Sequence, residues 1–291
     1  MRPADVLRLA TLAALWGASF LFLRITAPVL GPLFLAELRL AIAAATLLAW
    51  AWMTGGQVRF AGRWRFYLVI GAINSAAPFA LFAYAAVYLP ASYSAVLNAT
   101  SPLFGAVFAA LWLNERLTLR RVSGALTGVA GVALLVGFGP VVSDANVVLA
   151  ALAAIGGACC YALAVVYTRR RATGIEPFAL AAGSQVGAAL VLSPGLAAWP
   201  GAESFSLGIM ASVLALAVAC TALAYLIYFR LIANVGPARA LTVTLLIPVF
   251  GVLWGVAFLG EILTPSMLAG GALVIGATWL VVGETSAERP G

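Results

Sequence analysis

Long apolar runs alternate with short polar breaks from one end of this chain to the other. Each run is about 20 residues long, enough for ~30 Å of helix and so for one bilayer crossing. The runs predict helices over 5–27, 32–53, 66–88, 93–113, 119–138, 147–168, 177–197, 207–231, 237–259 and 266–283. The breaks carry turn chemistry: Gly31-Pro32, Gly55-Gly56, Leu89-Pro90, Gly139-Pro140, Gly236-Pro237 and Thr264-Pro265. Within a run the apolar residues surround the whole helix instead of forming one stripe, a pattern a soluble core does not require. Several breaks are only a few residues long. Consecutive helices are therefore antiparallel neighbours, and no soluble domain fits between them. The prediction is one all-α membrane domain over residues 1–291. The first run, opening Met1-Arg2, is too long for a signal-peptide core, ends near Arg24 and is followed by nine more.

Composition agrees: 64% of residues are hydrophobic, and the mean hydropathy is +1.10. The charges add direction. Lys and His are absent, and the cations are Arg. Arg2 precedes span 1. Arg59, Arg63 and Arg65 lie between spans 2 and 3. Arg116, Arg120 and Arg121 flank the 4–5 turn, and Arg169, Arg170 and Arg171 follow span 6. Arg230 and Arg239 bracket the 8–9 turn, and Arg289 lies beyond span 10. The alternate connections contain no Arg and carry Asp144, Glu203 and Glu261. By the positive-inside rule both termini are expected in the cytoplasm, as an even number of spans requires. The net charge of +7 is explained by this topology, so no nucleic-acid partner is expected.

The chain also repeats itself. Pro102-Leu103-Phe104-Gly105 aligns with Pro248-Val249-Phe250-Gly251, a step of 146 residues. At the same step Leu113-Asn114-Glu115-Arg116-Leu117-Thr118 meets Leu259-Gly260-Glu261-Ile262-Leu263-Thr264, Gly124 meets Gly270, and Val136-Gly137 meets Val282-Gly283. A weaker echo joins Ala13-Ala14-Leu15-Trp16-Gly17-Ala18 to Ala153-Ala154-Ile155-Gly156-Gly157-Ala158. The repeats cover 5–138 and 147–284. Each holds five spans, an odd number, so the two are expected to enter the membrane from opposite sides. Inverted repeats point to an alternating-access carrier with its substrate near the midplane.

The motifs carry a family resemblance. Trp16-Gly17-Ala18-Ser19-Phe20, Leu38-Arg39-Leu40, Ser101-Pro102-Leu103 with Leu113-Asn114-Glu115-Arg116-Leu117, and Ile247-Pro248-Val249-Phe250 with Leu259-Gly260-Glu261 together resemble the EamA family of the drug/metabolite transporter superfamily. Each motif alone is weak, but the ordered set is specific and spans the chain. The resemblance implies ten helices in two inverted repeats. It also implies a multi-pass carrier of the inner (cytoplasmic) membrane, most often an exporter of amino acids or similar small metabolites. The chain departs from the family pattern at Arg24, where Lys is common, and at Gly156-Gly157, where the second repeat lacks the Trp.

Polar and aromatic residues inside spans are the candidates for a substrate site, because a polar group facing lipid is costly. Ser94, Asn98 and Ser101 fall at i, i+4 and i+7 of span 4. Asn74, Pro78 and Phe82 share a stripe of span 3, with Phe79 and Tyr84 nearby. Span 1 offers Trp16, Ser19 and Phe20, span 6 Tyr161, and span 8 Thr221, Tyr225 and Tyr228. The rings suit flat apolar ligands or an ammonium group; core filling is the alternative. Trp50, Trp52, Trp64, Trp199 and Trp279 near span ends read as interfacial belt. Pro78, Pro102 and Pro248 lie within spans, and the equivalent pair Pro102 and Pro248 is read as a shared hinge. Arg24 and Glu37 flank the 1–2 turn at similar depth and are expected to pair. Arg39 lies deeper and reads as a structural anchor or a contact for a carboxylate. Gly124, Gly128, Gly131 and Gly270, Gly271, Gly276 form small-residue faces for packing within one monomer or between two.

Some chemistry is excluded by residue type. Without Lys there is no phosphate-binding P-loop. Without His most metal and general-base schemes fail, and Cys159, Cys160 and Cys220 lie inside spans. No enzyme, cofactor or metal is expected. The partners expected are a small-molecule substrate and the bilayer; a monomer and a homodimer both stay open. Two alternatives to amino-acid export remain: sugar-phosphate or nucleotide-sugar exchange on the same fold, and a non-transporting accessory subunit.

Overall fold

We describe a computed structural model of the chain covering residues 2–58, 60–115, 118–137, 145–201, 204–236, 240 and 242–287. Ten helices follow in order: α1 Pro3–Leu30, α2 Pro32–Thr54, α3 Trp64–Tyr88, α4 Ala91–Leu113, α5 Leu119–Gly137, α6 Ala145–Arg171, α7 Pro177–Ala197, α8 Leu207–Val235, α9 Val243–Leu259 and α10 Pro265–Ala287. Among the described residues there is no strand. Seven helices are long and apolar enough to cross a membrane, and α9 and part of α10 form shorter apolar helices. The chain is an all-α membrane protein. Arg59, Arg116, Leu117, Gly139, Pro140, Asp144, Glu203, Pro237, Arg239 and Arg289, used in the topology reading, lie outside the described residues.

The helix ends follow local chemistry. Pro stands in the first turn of α2, α7 and α10, where its missing N–H costs nothing. Gly55, at φ 70°, closes α2 in the left-handed region. α7 ends in a 3-10 turn at Ser193–Ala197, and three helices depart from α geometry in mid-span. In α3 the segment Ala72–Ala76 is π-helical, directly before Pro78. In α8 the segment Ala215–Leu223 is π-helical with no proline nearby. Both π segments lie in the third helix of their half, so both halves widen that helix. In α4 the helix breaks at Ala99–Thr100 and restarts at Ser101. Pro102 cannot donate to the Asn98 carbonyl four residues back, and the Ser101 hydroxyl takes that role at 2.8 Å. The repeat partner Pro248 lies inside an uninterrupted α9.

Helices from the two repeats interleave through close approaches. A Cβ on Gly17 of α1 would lie 2.7 Å from Phe250 Cβ of α9, and one on its repeat partner Gly157 of α6 would lie 2.7 Å from the Phe82 ring of α3. The glycine faces of α5 and α10 pack on each other within the chain. A Cβ on Gly131 would stand 2.9 Å from the Gly270 carbonyl oxygen, and one on Gly270 2.8 Å from that of Gly131. Gly124 and Gly128 meet Ala277 of the same helix, whereas Gly271 meets Val96 of α4 and Gly276 has open space beside it.

One end of the bundle is rich in arginine. A cavity of about 730 Å³ there is lined by Arg2, Asp5 and Arg8 of the first turns and by Arg230 and Asn234 of α8. Asp5 accepts from Asn234 at 2.8 Å and from Arg8 at 2.7 Å, tying α1 to α8. A second cavity, about 410 Å³, is lined by Arg63, Arg65, Tyr167 and Arg171, and Arg63 donates to the Thr173 carbonyl. At the opposite end Trp199 stacks on Phe205 and meets Phe34 edge-on, so this ring of the expected belt also packs against protein.

Candidate functional site

Arg39 is the centre of the polar interior. It stands seven residues into α2, about 11 Å from the helix start at 1.5 Å per residue, and only 5% of it is exposed. Its guanidinium lies 3.6 Å from the Phe79 ring centroid of α3, a cation–π contact. Its Nε donates to the Thr221 hydroxyl of α8 at 2.9 Å, the one hydrogen bond this side chain makes among the described residues. Tyr161, Cys220 and Tyr225 are near enough to feel its charge. Arg39 thus does not snorkel to a surface.

The two π segments build the rest. The wide turn of α3 presents Asn74 and Ser75 together. Asn74 Nδ2 donates to the Tyr225 hydroxyl at 3.1 Å, and Gln185 Nε2 of α7 donates to Ser75 Oγ at 2.9 Å. In α8 the Thr221 hydroxyl donates five residues back to the Leu216 carbonyl, a bond suited to π geometry, while accepting from Arg39. Each of these contacts, Arg39 with Thr221, Asn74 with Tyr225 and Ser75 with Gln185, joins the first half of the chain to the second.

Aromatic rings close over the polar groups. Trp16 contacts Tyr228 and Tyr225 with centroids 5.3 and 6.4 Å apart. Phe20 meets Phe82 edge-on at 5.6 Å, and Phe82 stacks on Tyr161 at 6.0 Å. The arrangement offers one fixed cation, neutral amide and hydroxyl groups, and π faces. It can hold a small anionic or zwitterionic group beside an apolar body. Gln185 Oε1 is fully buried and has no partner among the described residues, so an acceptor remains free for a ligand N–H. Among the described residues no cluster of ligands could hold a metal ion.

The structure therefore gathers Trp16, Phe20, Asn74, Phe79, Phe82, Tyr161 and Tyr225, adds Arg39, and places Pro78 just after the α3 widening. Ser19 is buried on α1 and turns back toward the Leu15 carbonyl. Tyr84 lies apart, against Tyr88. The Ser94, Asn98 and Ser101 stripe assumes an unbroken helix, and the break at Ala99–Thr100 ends it: Ser101 folds back onto Asn98. Ser94 Oγ and Asn98 Oδ1 are buried and without partners among the described residues. If that free Asn98 acceptor serves a ligand, Asn98→Ala is expected to lower transport about tenfold at unchanged expression, the effect of losing one hydrogen bond. Flux and thermal stability of the purified variant test this: unchanged flux with a lowered Tm would make Asn98 a packing residue.

One expectation is overturned. Arg24 does not pair with Glu37. Its guanidinium donates to the carbonyls of Ala86 and Val87 at 2.9 and 2.7 Å. Pro90 cannot donate to Ala86, and the Ala91 N–H is engaged elsewhere, so the last carbonyls of α3 stand open and a cation at the helix C-terminus answers them. Glu37 is 3% exposed, and its Oε2 has no partner among the described residues.

Sequence reasoning passed over Gln185 and Ser75. Gln185 had a signal, since a polar amide inside an apolar span faces the bundle by default. Glu261 had one too, in its repeat equivalence with Glu115, but its partners did not. Its carboxylate accepts from the N–H of Ala91 at 2.6 Å, from the N–H of Ser92 at 3.1 Å and from the Ser92 hydroxyl.

Comparison with known proteins places this architecture. The model of the EamA-like transporter family matches residues 6–137 and again 148–283. An uncharacterised transporter of Bacillus subtilis, YvbV, is 29% identical over 99% of this chain and 94% of its own length. A probable terminal-alkyne amino-acid exporter of Streptantibioticus cattleyicolor is 27% identical over 94% of this chain and 92% of its own. A solved crystal structure superposes with a TM-score of 0.69 at 22% identity, covering 99% of this chain and all of the other, a likeness of fold. With both halves matched and transporters among its relatives, the chain belongs to the EamA-like transporter family.

Proposed function

We propose that this transporter exports amino acids or similar small amphipathic metabolites by alternating access, with the substrate carboxylate at Arg39. The observation that carries the reading is the buried Arg39 guanidinium held between the halves, with an unpartnered Gln185 acceptor and a cage of rings around it. One cation matches one carboxylate, and the rings match an apolar side chain or an ammonium group. The relative named as an amino-acid exporter supports the same class. The arginine-rich end is the cytoplasmic face, both termini lie there, and the five-helix halves are inverted repeats in the inner membrane. Pro102 and Pro248 act as hinges on opposite sides of the site.

Proteoliposomes loaded with a panel of labelled amino acids test the proposal, with and without a pH gradient. Saturable counterflow of one or more amino acids, competed by analogues with an intact carboxylate and not by the amides, is expected. Exchange of sugar phosphates instead would favour the alternative substrate class, and no flux of either would favour an accessory role.

A further inference from the structure

Two glutamates at the same repeat position bridge the halves at opposite ends of the molecule. Glu115 and Glu261 are 146 positions apart in the aligned turns Leu113-Asn114-Glu115 and Leu259-Gly260-Glu261. Asn114 and Gly260 even share the left-handed conformation, at φ 55° and 64°, and both glutamate N–H groups bond back to a carbonyl six residues earlier, Ala109 and Gly255. From these matching turns the carboxylates reach across. Glu261, in the second half, holds the first turn of α4 in the first half through Ala91 and Ser92. Glu115, in the first half, accepts from Arg169 of α6 in the second half at 3.2 Å and from Arg121 of α5 at 3.0 Å. Ala91 and Glu115 are separated by all of α4, whose 23 residues give about 35 Å of helix, so the bridges lie on opposite faces.

The chemistry of the two bridges differs. Glu261 places a negative charge on buried N–H groups of a helix start that have no partner within the helix, where the helix dipole favours it, and the α3–α4 turn is held from its other side by Arg24 on the Ala86 and Val87 carbonyls. That turn is thereby fixed by α1 and by the α9–α10 turn together. Glu115 makes ion pairs instead, 33% exposed and open to screening. If the halves rock about a central site, each face opens by separating the groups its glutamate joins. We propose that Glu261 and Glu115 are the opposed gate latches of this transporter, Glu261 on the face away from the arginines and Glu115 on the arginine-rich face. The inference rests on the alternating-access reading above. Both carboxylates hold their partners at once here.

The test uses the full chain with Cys159, Cys160 and Cys220 replaced by Ala. Single probes are placed at Ser94→Cys in α4 and at its repeat partner Ala240→Cys, both buried close inside the respective ends. An impermeant maleimide is applied from either side of oriented vesicles. Glu261→Gln removes the charge and half the acceptors, and is expected to speed labelling at position 94 from outside about tenfold, with position 240 unchanged or slower. Glu115→Gln is expected to do the reverse. Glu261→Asp, which keeps the charge on a shorter arm, should fall between. Fluorescence-detected size exclusion confirms that each variant is folded, and a pair that fails to fold is replaced by Glu261→Asp and Arg169→Gln, for which the same opposite shifts are required. Shifts toward the same face, or no shift in either folded variant, overturn the latches and leave the transport reading intact. In a chain carrying both cysteines and both glutamates, labelling of both positions on one molecule within a pulse shorter than the transport cycle overturns alternating access itself, and the latches with it.

Discussion

Arg39→Gln is expected to reduce transport by about a hundredfold, more than any other single change at the site. The guanidinium is the one deep cation of the cage, and its hydrogen bond to a charged ligand group is worth about 1.5–3 kcal/mol, up to roughly a hundredfold. The substitution also removes the cation over the Phe79 ring and frees the Thr221 hydroxyl, so local packing changes too. Arg39→Lys separates the effects. Lysine keeps the charge but loses the planar stack and the fork of donors, so a site that needs only charge recovers flux, whereas one that grips a carboxylate through two N–H groups does not. Counterflow in proteoliposomes, with Tm of the detergent-solubilised variants alongside, reads both. If Arg39→Gln transports normally, Arg39 is an anchor and the substrate binds elsewhere.

A large loss of stability is expected from Gly131→Val. The added carbons would collide with the Gly270 carbonyl and with Leu273 and Val274 of α10, contacts that already stand 2.9–3.0 Å from a Cβ built there. Backbone against backbone leaves nothing flexible to yield, so α5 and α10 must separate along their length. The cost is about 3 kcal/mol, the upper range for overpacking a well-packed contact. Gly276→Val, on the partner helix α10 with nothing within 4 Å, is the control and should be tolerated. Thermal unfolding in detergent distinguishes them. Equal effects at the two positions would mean that the α5–α10 contact is not tight.

How much was legible in the sequence differs from feature to feature. Helix number and placement come from apolar length alone, because a bilayer of ~30 Å imposes one length on every crossing. Arg24 shows where this stops. Its depth next to Glu37 was readable, but the choice of partner turned on Pro90 leaving a helix end without donors, a contact between α1 and α3 that no periodicity reports. The widened turns of α3 and α8 are also unreadable. Pro78 hints at one of them, yet the other forms without a proline.

The candidate site divides along the same line. Trp16, Asn74, Tyr161 and Tyr225 were recognisable because polar and aromatic side chains inside apolar runs must face the bundle. That Arg39 lies among them, with Gln185 and Ser75 completing the polar ring, depends on how α2, α3, α7 and α8 cross. The Ser94, Asn98 and Ser101 stripe is interrupted before Ser101 for a local reason, since a proline two residues past the break makes helix periodicity invalid across it. The sequence by itself determined the all-α membrane class, the positions of the spans, the repeat and the family, because each rests on chain-local quantities: apolar length, charge placement and recurring motifs. Only the tertiary structure decided which charges meet, which glycines touch and what each repeated glutamate holds, because those contacts join residues far apart in the chain, 54 to 182 positions for the hydrogen bonds, and depend on helix rotation to within a fraction of a turn.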